Sequence, residues 1–209
     1  MIDYLVREPK SAIENPSLFL LLHGYGSNEK DLFSFADELP DDAYVISLRA
    51  IKKLPMGGYC WYELDLSKNV RILDIEQTQK SQDIILKFID QIHDKYPFDK
   101  NNISLIGFSQ GAILSFSLAL HNPHKFKKIL CLSGYPDPDL LADVDMGSDF
   151  SDLEFYFSHG IEDPIIPVQW ARQFKSIAEE LDLHFEYHEY HQGHGINSEN
   201  YYDLLNFIQ

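Results

Sequence analysis

The chain has 209 residues, 44% of them hydrophobic, and a formal net charge of −16 from 33 acidic against 17 basic residues. So acidic a surface repels nucleic acid and anionic membranes, and no basic patch interleaved with aromatics offsets it. One domain of this size buries about 70% of its unfolded surface, so it needs no covalent staples.

The two cysteines, Cys60 and Cys131, make no disulfide framework, so a reducing compartment is expected. The N-terminus, MIDYLVREPK, lacks the basic-then-apolar pattern of a signal segment. The longest apolar run, Leu18 to Leu22, is far too short to span a bilayer. The expectation is a cytoplasmic, soluble protein with no nucleic-acid partner and no stable membrane association. Composition leaves a homodimer open.

Short apolar runs alternate with amphipathic segments along the whole chain, without linker or repeat. That pattern predicts one α/β domain over residues 1–209 with a parallel sheet. Residues 2–7 are expected as a short edge strand. Leu18 to Leu22 reads as a buried strand running into His23-Gly24-Tyr25-Gly26-Ser27-Asn28, where Asn28 is placed to cap a helix starting near Glu29. Ala43 to Leu48 is the next strand, followed by a long loop, Arg49 to Asp65. Residues 75–95 show helical spacing of Ile84, Ile85, Phe88, Ile89 and Ile92, with Pro97 just past the end. Further strands are expected at Ile103 to Ile106, Lys128 to Ser133, Leu153 to Phe157 and His184 to Tyr190. Helices are expected after Ser109, after Pro167 as a first-turn proline, and over about 198–208.

The centre of this pattern is Gly107-Phe108-Ser109-Gln110-Gly111, between an apolar run and AILSFSLAL, a helix with almost no polar face. Strand, G-x-S-x-G, helix is the context of a nucleophile elbow. The turn is too tight for side chains two residues either side of the serine, hence the glycines. The Gln110 backbone N–H, at the helix start, then points at an oxyanion formed on an attacked carbonyl. A second donor is expected from the loop after Leu22, and Tyr25 N–H, flanked by two glycines, is the candidate.

A serine hydroxyl needs a base, and the base needs an orienting group. In open α/β sheets both belong in loops that follow strands. Asp163 and His194 meet that condition. Asp163 precedes Pro164, which fixes an extended backbone. His194 lies between Gly193 and Gly195. The order Ser109, Asp163, His194 is that of α/β-hydrolases. His184, His188, His191 and His194 raise the question of a metal site, but their spacing matches no helix-borne ligand pair and no cysteine lies near. No metal and no cofactor are expected. His23 and His159, each before a glycine at a strand end, are expected to tie loops together rather than react.

These motifs taken together resemble the phospholipase/carboxylesterase family, which includes acyl-protein thioesterases and small bacterial carboxylesterases. The likeness runs from about Leu18 to Phe207. LLHGYGSN resembles the family's oxyanion loop, SLRA…GGYCWYELD the loop beside its acyl site, GFSQGA its GFSQGG, HGIEDPIIP its aspartate loop and GHGI its histidine loop. Ala112 replaces a glycine of that pattern, and Ile51 stands where the family usually has proline. The resemblance implies an α/β-hydrolase fold, a mostly parallel twisted sheet with helices on both faces. It implies Ser109 as nucleophile, His194 as base, Asp163 as orienter and the Tyr25 and Gln110 amides as oxyanion hole. Met56, Tyr59, Trp61 and Tyr62 are candidates to line the acyl site. The expected chemistry is hydrolysis of a small carboxylic ester of short to medium acyl chain, since no apolar lid segment is visible. Thioesterase and lysophospholipase activities use the same triad, and a non-catalytic scaffold on this fold is the reading from another class.

Overall fold

A computed structural model of the chain describes residues 2–65 and 72–209. Its main sheet has seven strands: β1 (Tyr4–Arg7), β2 (Leu18–Leu22), β3 (Tyr44–Leu48), β4 (Ile103–Phe108), β5 (Lys128–Leu132), β6 (Glu154–Gly160) and β7 (His184–Tyr190), in the spatial order β1-β3-β2-β4-β5-β6-β7. Only β1 runs antiparallel to its neighbour. This is the α/β-hydrolase arrangement. Alternate residues along the strands serve opposite faces. Leu18, Leu20 and Leu22 join one core with Ile46, Leu48, Ile103 and Leu105. Phe19 and Leu21 join a second with Val45, Ile106 and Leu130. A sheet covered on both sides explains why β2 and β3 read as continuous apolar runs.

The helices are α1 (Ile75–Ile92), α2 (Gln110–His121), α3 (Pro138–Leu141), α4 (Val168–Ala171), α5 (Gln173–Glu180) and α6 (Ser198–Ile208). Asp74 caps α1 by accepting from Gln77 N–H, and Ile85, Phe88, Ile89 and Ile92 form its buried face. Every residue of α2 from Gln110 to Leu120 is buried, which is why that helix has no polar stripe. Leu204 and Ile208 of α6 close the opposite face.

Three local expectations change. No α-helix starts at Glu29. The Asn28 side chain accepts from Lys30 N–H in a tight turn, and a short 3-10 segment, Leu32–Phe35, follows. Glu29 is buried against Arg49, at 2.6 and 2.7 Å, and that bond draws the stretch into the sheet edge. The helix after Pro167 is broken at Arg172 into α4 and α5, with Pro167 as its extended cap rather than in its first turn. The loop between β5 and β6 contains α3, whose cap Asp137 accepts from Asp139 N–H.

Strand order reverses direction between β2 and β4: the chain goes outward to β3, then returns to the other side of β2. Loops leaving the carboxyl ends of β2 and β4 therefore diverge and leave a crevice, where ligands bind in open α/β sheets. The Tyr25 loop and Ser109 both lie there.

Candidate active site

Ser109 follows β4 and precedes α2, with φ 53° and ψ −113°. A non-glycine residue held there costs about 1–3 kcal/mol, sustained by the surrounding packing. The packing is close. A Cβ on Gly111 would strike the carbonyl of Leu22, and one on Gly107 would strike the carbonyl of Gly111. Strand, turn and helix thus touch backbone to backbone, and the hydroxyl is presented above the sheet.

His194 Nε2 lies 2.9 Å from Ser109 Oγ. Its Nδ1 lies 2.7 Å from Asp163 Oδ2. A carboxylate only accepts, so Nδ1 carries the proton and the Nε2 lone pair faces the hydroxyl. Asp163 has a fully buried side chain, and its Oδ1 accepts from the backbone N–H groups of Ile165 at 2.7 Å and Ile166 at 2.9 Å. The imidazole of His194 packs against Phe108, with ring centroids 5.1 Å apart. Its loop is braced by Gln192, which donates to Gly195 O at 2.7 Å and accepts from Asn197 N–H at 2.6 Å. Ser133 Oγ adds a bond to Gly195 O at 3.3 Å. The loop also presses on the end of β6, where a side chain at Gly160 would meet the carbonyls of Gln192 and Gly193.

Gln110 is the first residue of α2, so its N–H has no acceptor within the helix. Tyr25 lies across the crevice. A Cβ on its neighbour Gly24 would sit 3.3 Å from Ser109 Cβ. Among the described residues, no backbone carbonyl takes the Tyr25 N–H. The loop is fixed by His23, whose Nε2 accepts from Ala50 N–H at 3.0 Å and whose Nδ1 donates to Gly24 O at 2.7 Å. Burial pushes that imidazole below its usual range, so it stays neutral.

A cleft of about 340 Å³ opens from Ser109 and His194 and is also lined by Tyr25 and Gln110. Its walls are Tyr62, Leu64, Ile113, Tyr135, Ile165 and Ile166. Of the four residues expected around an acyl group, only Tyr62 lines it. Met56 is 99% exposed on its loop. Tyr59 carries the Arg49 guanidinium over its ring, 4.9 Å from the centroid. Trp61 is fully buried, its indole N–H donating to His23 O at 2.9 Å. These three support the site from behind or lie away from it, because the backbone of 59–62 is consumed in cross-bonding. Trp61 N–H donates to Gln110 Oε1 and Gln110 Nε2 to Tyr62 O, both at 2.8 Å. Ile113 could have been found from sequence as the position one helical turn beyond Ser109. Tyr135, Ile165 and Ile166 carry no such signal.

Neither cysteine competes as a nucleophile. Burial pushes the Cys60 thiol up to about 11 and Cys131 well above its ordinary value, and a protonated buried thiol is inert. His188 bonds Glu186 and His191 bonds Glu162, at 3.0 and 2.9 Å. No group of three or more His, Cys, Asp or Glu among the described residues could hold a metal ion. No helix among them is long and apolar enough to cross a membrane.

A family model described as Phospholipase/Carboxylesterase matches residues 6–209. Acyl-protein thioesterase 1 of Kluyveromyces lactis is 30% identical over 73% of this chain and 69% of its own length. The protein of that name from Candida albicans is 24% identical over 98% of this chain and 96% of its own. The crystal structure of the Bacillus cereus carboxylesterase superposes with a TM-score of 0.83 at 24% identity, covering 100% of this chain and 93% of that one. At that identity the superposition speaks for the fold.

Proposed function

The chain belongs to the phospholipase/carboxylesterase family, and from that membership we propose that it hydrolyses carboxylic esters of short to medium acyl chain through an acyl-enzyme on Ser109. The observation that carries the reading is the row from Ser109 Oγ to His194 Nε2 to Asp163, at 2.9 and 2.7 Å. In the first half-reaction His194 takes the hydroxyl proton as Oγ bonds to the ester carbonyl carbon. Asp163 stabilises the resulting imidazolium. The carbonyl oxygen, now anionic, receives the Tyr25 and Gln110 amides. The tetrahedral species collapses, the carbon–oxygen bond to the leaving group breaks, and His194 gives that oxygen its proton. Water, deprotonated by His194, then attacks the acyl carbon and releases the acid and free Ser109.

The acyl group fits the cleft walled by Tyr62, Leu64, Ile113 and Tyr135. About 340 Å³ is at the small end of ligand sites, which favours short to medium chains. A thioester substrate is the second reading, favoured by the relatives named acyl-protein thioesterase 1; the same row would serve it.

The test is a series of p-nitrophenyl esters and acyl thioesters of increasing length, with Ser109→Ala as blank. Turnover peaking at short to medium acyl groups and vanishing in the blank is expected. Near-normal turnover by Ser109→Ala, or a peak at long chains, would refute the assignment.

A further inference from the structure

His159 is the penultimate residue of β6, just before the Asp163 loop, and takes no part in the steps above. It is fully buried. Its Nε2 faces the carbonyl of Ile166 at 2.8 Å and lies 3.2 Å from Asp163 Oδ2. Both oxygens are acceptors, so Nε2 carries the ring proton. Nδ1 is buried with no hydrogen-bond partner among the described residues. A second proton there would find nothing to bond, and burial pushes the imidazole below its ordinary range against the pull of Asp163.

Asp163 Oδ2 is therefore flanked by two imidazoles, His194 at 2.7 Å and His159 at 3.2 Å. Only His194 meets a proton source, Ser109. When it becomes an imidazolium it needs the full charge of one carboxylate, and a cationic His159 would compete for that charge. The turn after Asp163 is a closed set of bonds. Oδ1 is held by the Ile165 and Ile166 amides, and the Ile166 carbonyl is held by His159.

We propose that His159 is a positioning residue. Held in its Nε2–H form, it pins the 163–166 turn through the Ile166 carbonyl and lays its N–H edge beside Asp163 Oδ2, which fixes the carboxylate toward His194. The proposal rests on the reading of Ser109, His194 and Asp163 as the reacting row. The titratable and charged groups acting on His159 are Asp163, His194 and Glu189. Glu189 is itself engaged by Arg172 at 2.7 Å and Tyr187 at 3.0 Å.

The test compares wild-type protein with His159→Leu, which removes the donor at similar bulk, and His159→Gln, whose amide N–H reaches the Nε2 position. Rates on a short p-nitrophenyl ester are measured across pH. For His159→Leu, kcat falls about ten-fold, on the order of one lost hydrogen bond to the turn that carries Asp163, with KM within about two-fold. The acid limb of kcat/KM moves down by about half a pH unit, because a carboxylate no longer fixed toward His194 holds the imidazolium less tightly. His159→Gln restores both. A His159→Leu enzyme with wild-type kcat and pH profile, or a Gln variant no better than Leu, overturns the proposal. Should the Leu variant fail to fold, ring-nitrogen NMR of the wild-type protein decides. His159 is expected as the neutral Nε2–H tautomer at the neutral pH of the assay, and a proton on Nδ1 overturns it. A wild-type protein without ester turnover would instead strike at the proposed function, leaving the NMR result to judge His159.

Discussion

The elbow at Ser109 and the loop from Arg49 to Tyr62 meet at the same cleft, yet they are built in opposite ways. The elbow is held by its own backbone: a strand ending, a helix starting and two glycines where carbonyls crowd in. The 49–62 loop has almost no structure of its own beyond a two-residue pairing, Lys52–Lys53 with Tyr59–Cys60. It is held by borrowed bonds: His23 takes Ala50 N–H and the carbonyl of His23 takes the Trp61 indole N–H. Gln110 bonds residues 61 and 62, and Ser81 donates to the Trp61 carbonyl at 2.5 Å. The lesson is that a reacting atom is set by local chain geometry, whereas a cleft wall is set by whichever side chains remain after such anchoring.

The largest effect belongs to the elbow's side of the comparison. His194→Ala should lower kcat on a short ester by a factor on the order of 10⁶, as in other serine triads acting as a unit. Loss of less than about a hundred-fold would mean that Ser109 draws on another base.

Backbone crowding comes next. Gly111→Ala forces a methyl against the Leu22 carbonyl and should cost about 3 kcal/mol in urea unfolding, with activity lost through a displaced Ser109. A variant with an unchanged midpoint would show that the elbow has room.

The borrowed bonds are tested by Gln110→Ala. It leaves Trp61 N–H and Tyr62 O without their partner and should cost about 2 kcal/mol. The Gln110 main-chain N–H is untouched, so the variant separates loop anchoring from the oxyanion role. Equal stability would place the anchoring elsewhere.

The two buried histidines give a pH signature. Burial lowers both His23 and His159 relative to their unfolded values. Each unfolded ring takes up a proton below about 6.5 while the folded ring resists, so the unfolded state binds more protons. Stability from this source is full above about 6.5 and declines as pH falls, with a slope of at most about 2.7 kcal/mol per pH unit for the two rings. Urea unfolding between pH 7.5 and 5 measures it. A flat or rising stability on acidification contradicts the assignment of neutral rings.

The smallest effect sharpens the contrast within the loop. Met56→Ala should leave the acyl-chain profile unchanged, because the side chain is solvent-exposed. Ile113→Phe, inside the cleft, should shift preference toward shorter acyl groups by about ten-fold. The reverse pattern would relocate the acyl site.

This contrast also explains what the sequence made legible. Ser109, Asp163 and His194 each sit in a short loop directly after a strand, so apolar runs, glycines and one proline located them. The seven strands and the long helix before β4 were legible for the same reason: their periodicity is their burial. The role of Glu29 was not, because its partner Arg49 is twenty residues away and nothing local announces a buried ion pair. Trp61 and Tyr59 misled, since an aromatic beside a site looks the same in sequence whether it faces the cleft or braces it. Tyr135, Ile165 and Ile166 come from three-dimensional convergence of loops after β5 and β6, which no single stretch encodes. His159 was legible as a loop tie but not as a neighbour of Asp163, because the turn that brings the two together is closed by the Ile165 and Ile166 amides.

The most direct measurement is intact-mass and peptide mapping after reaction with a fluorophosphonate. The account predicts one adduct per chain, on Ser109, formed rapidly by wild-type protein and barely at all by His194→Ala. Adduct on another residue, or equal labelling of the His194→Ala protein, would contradict it.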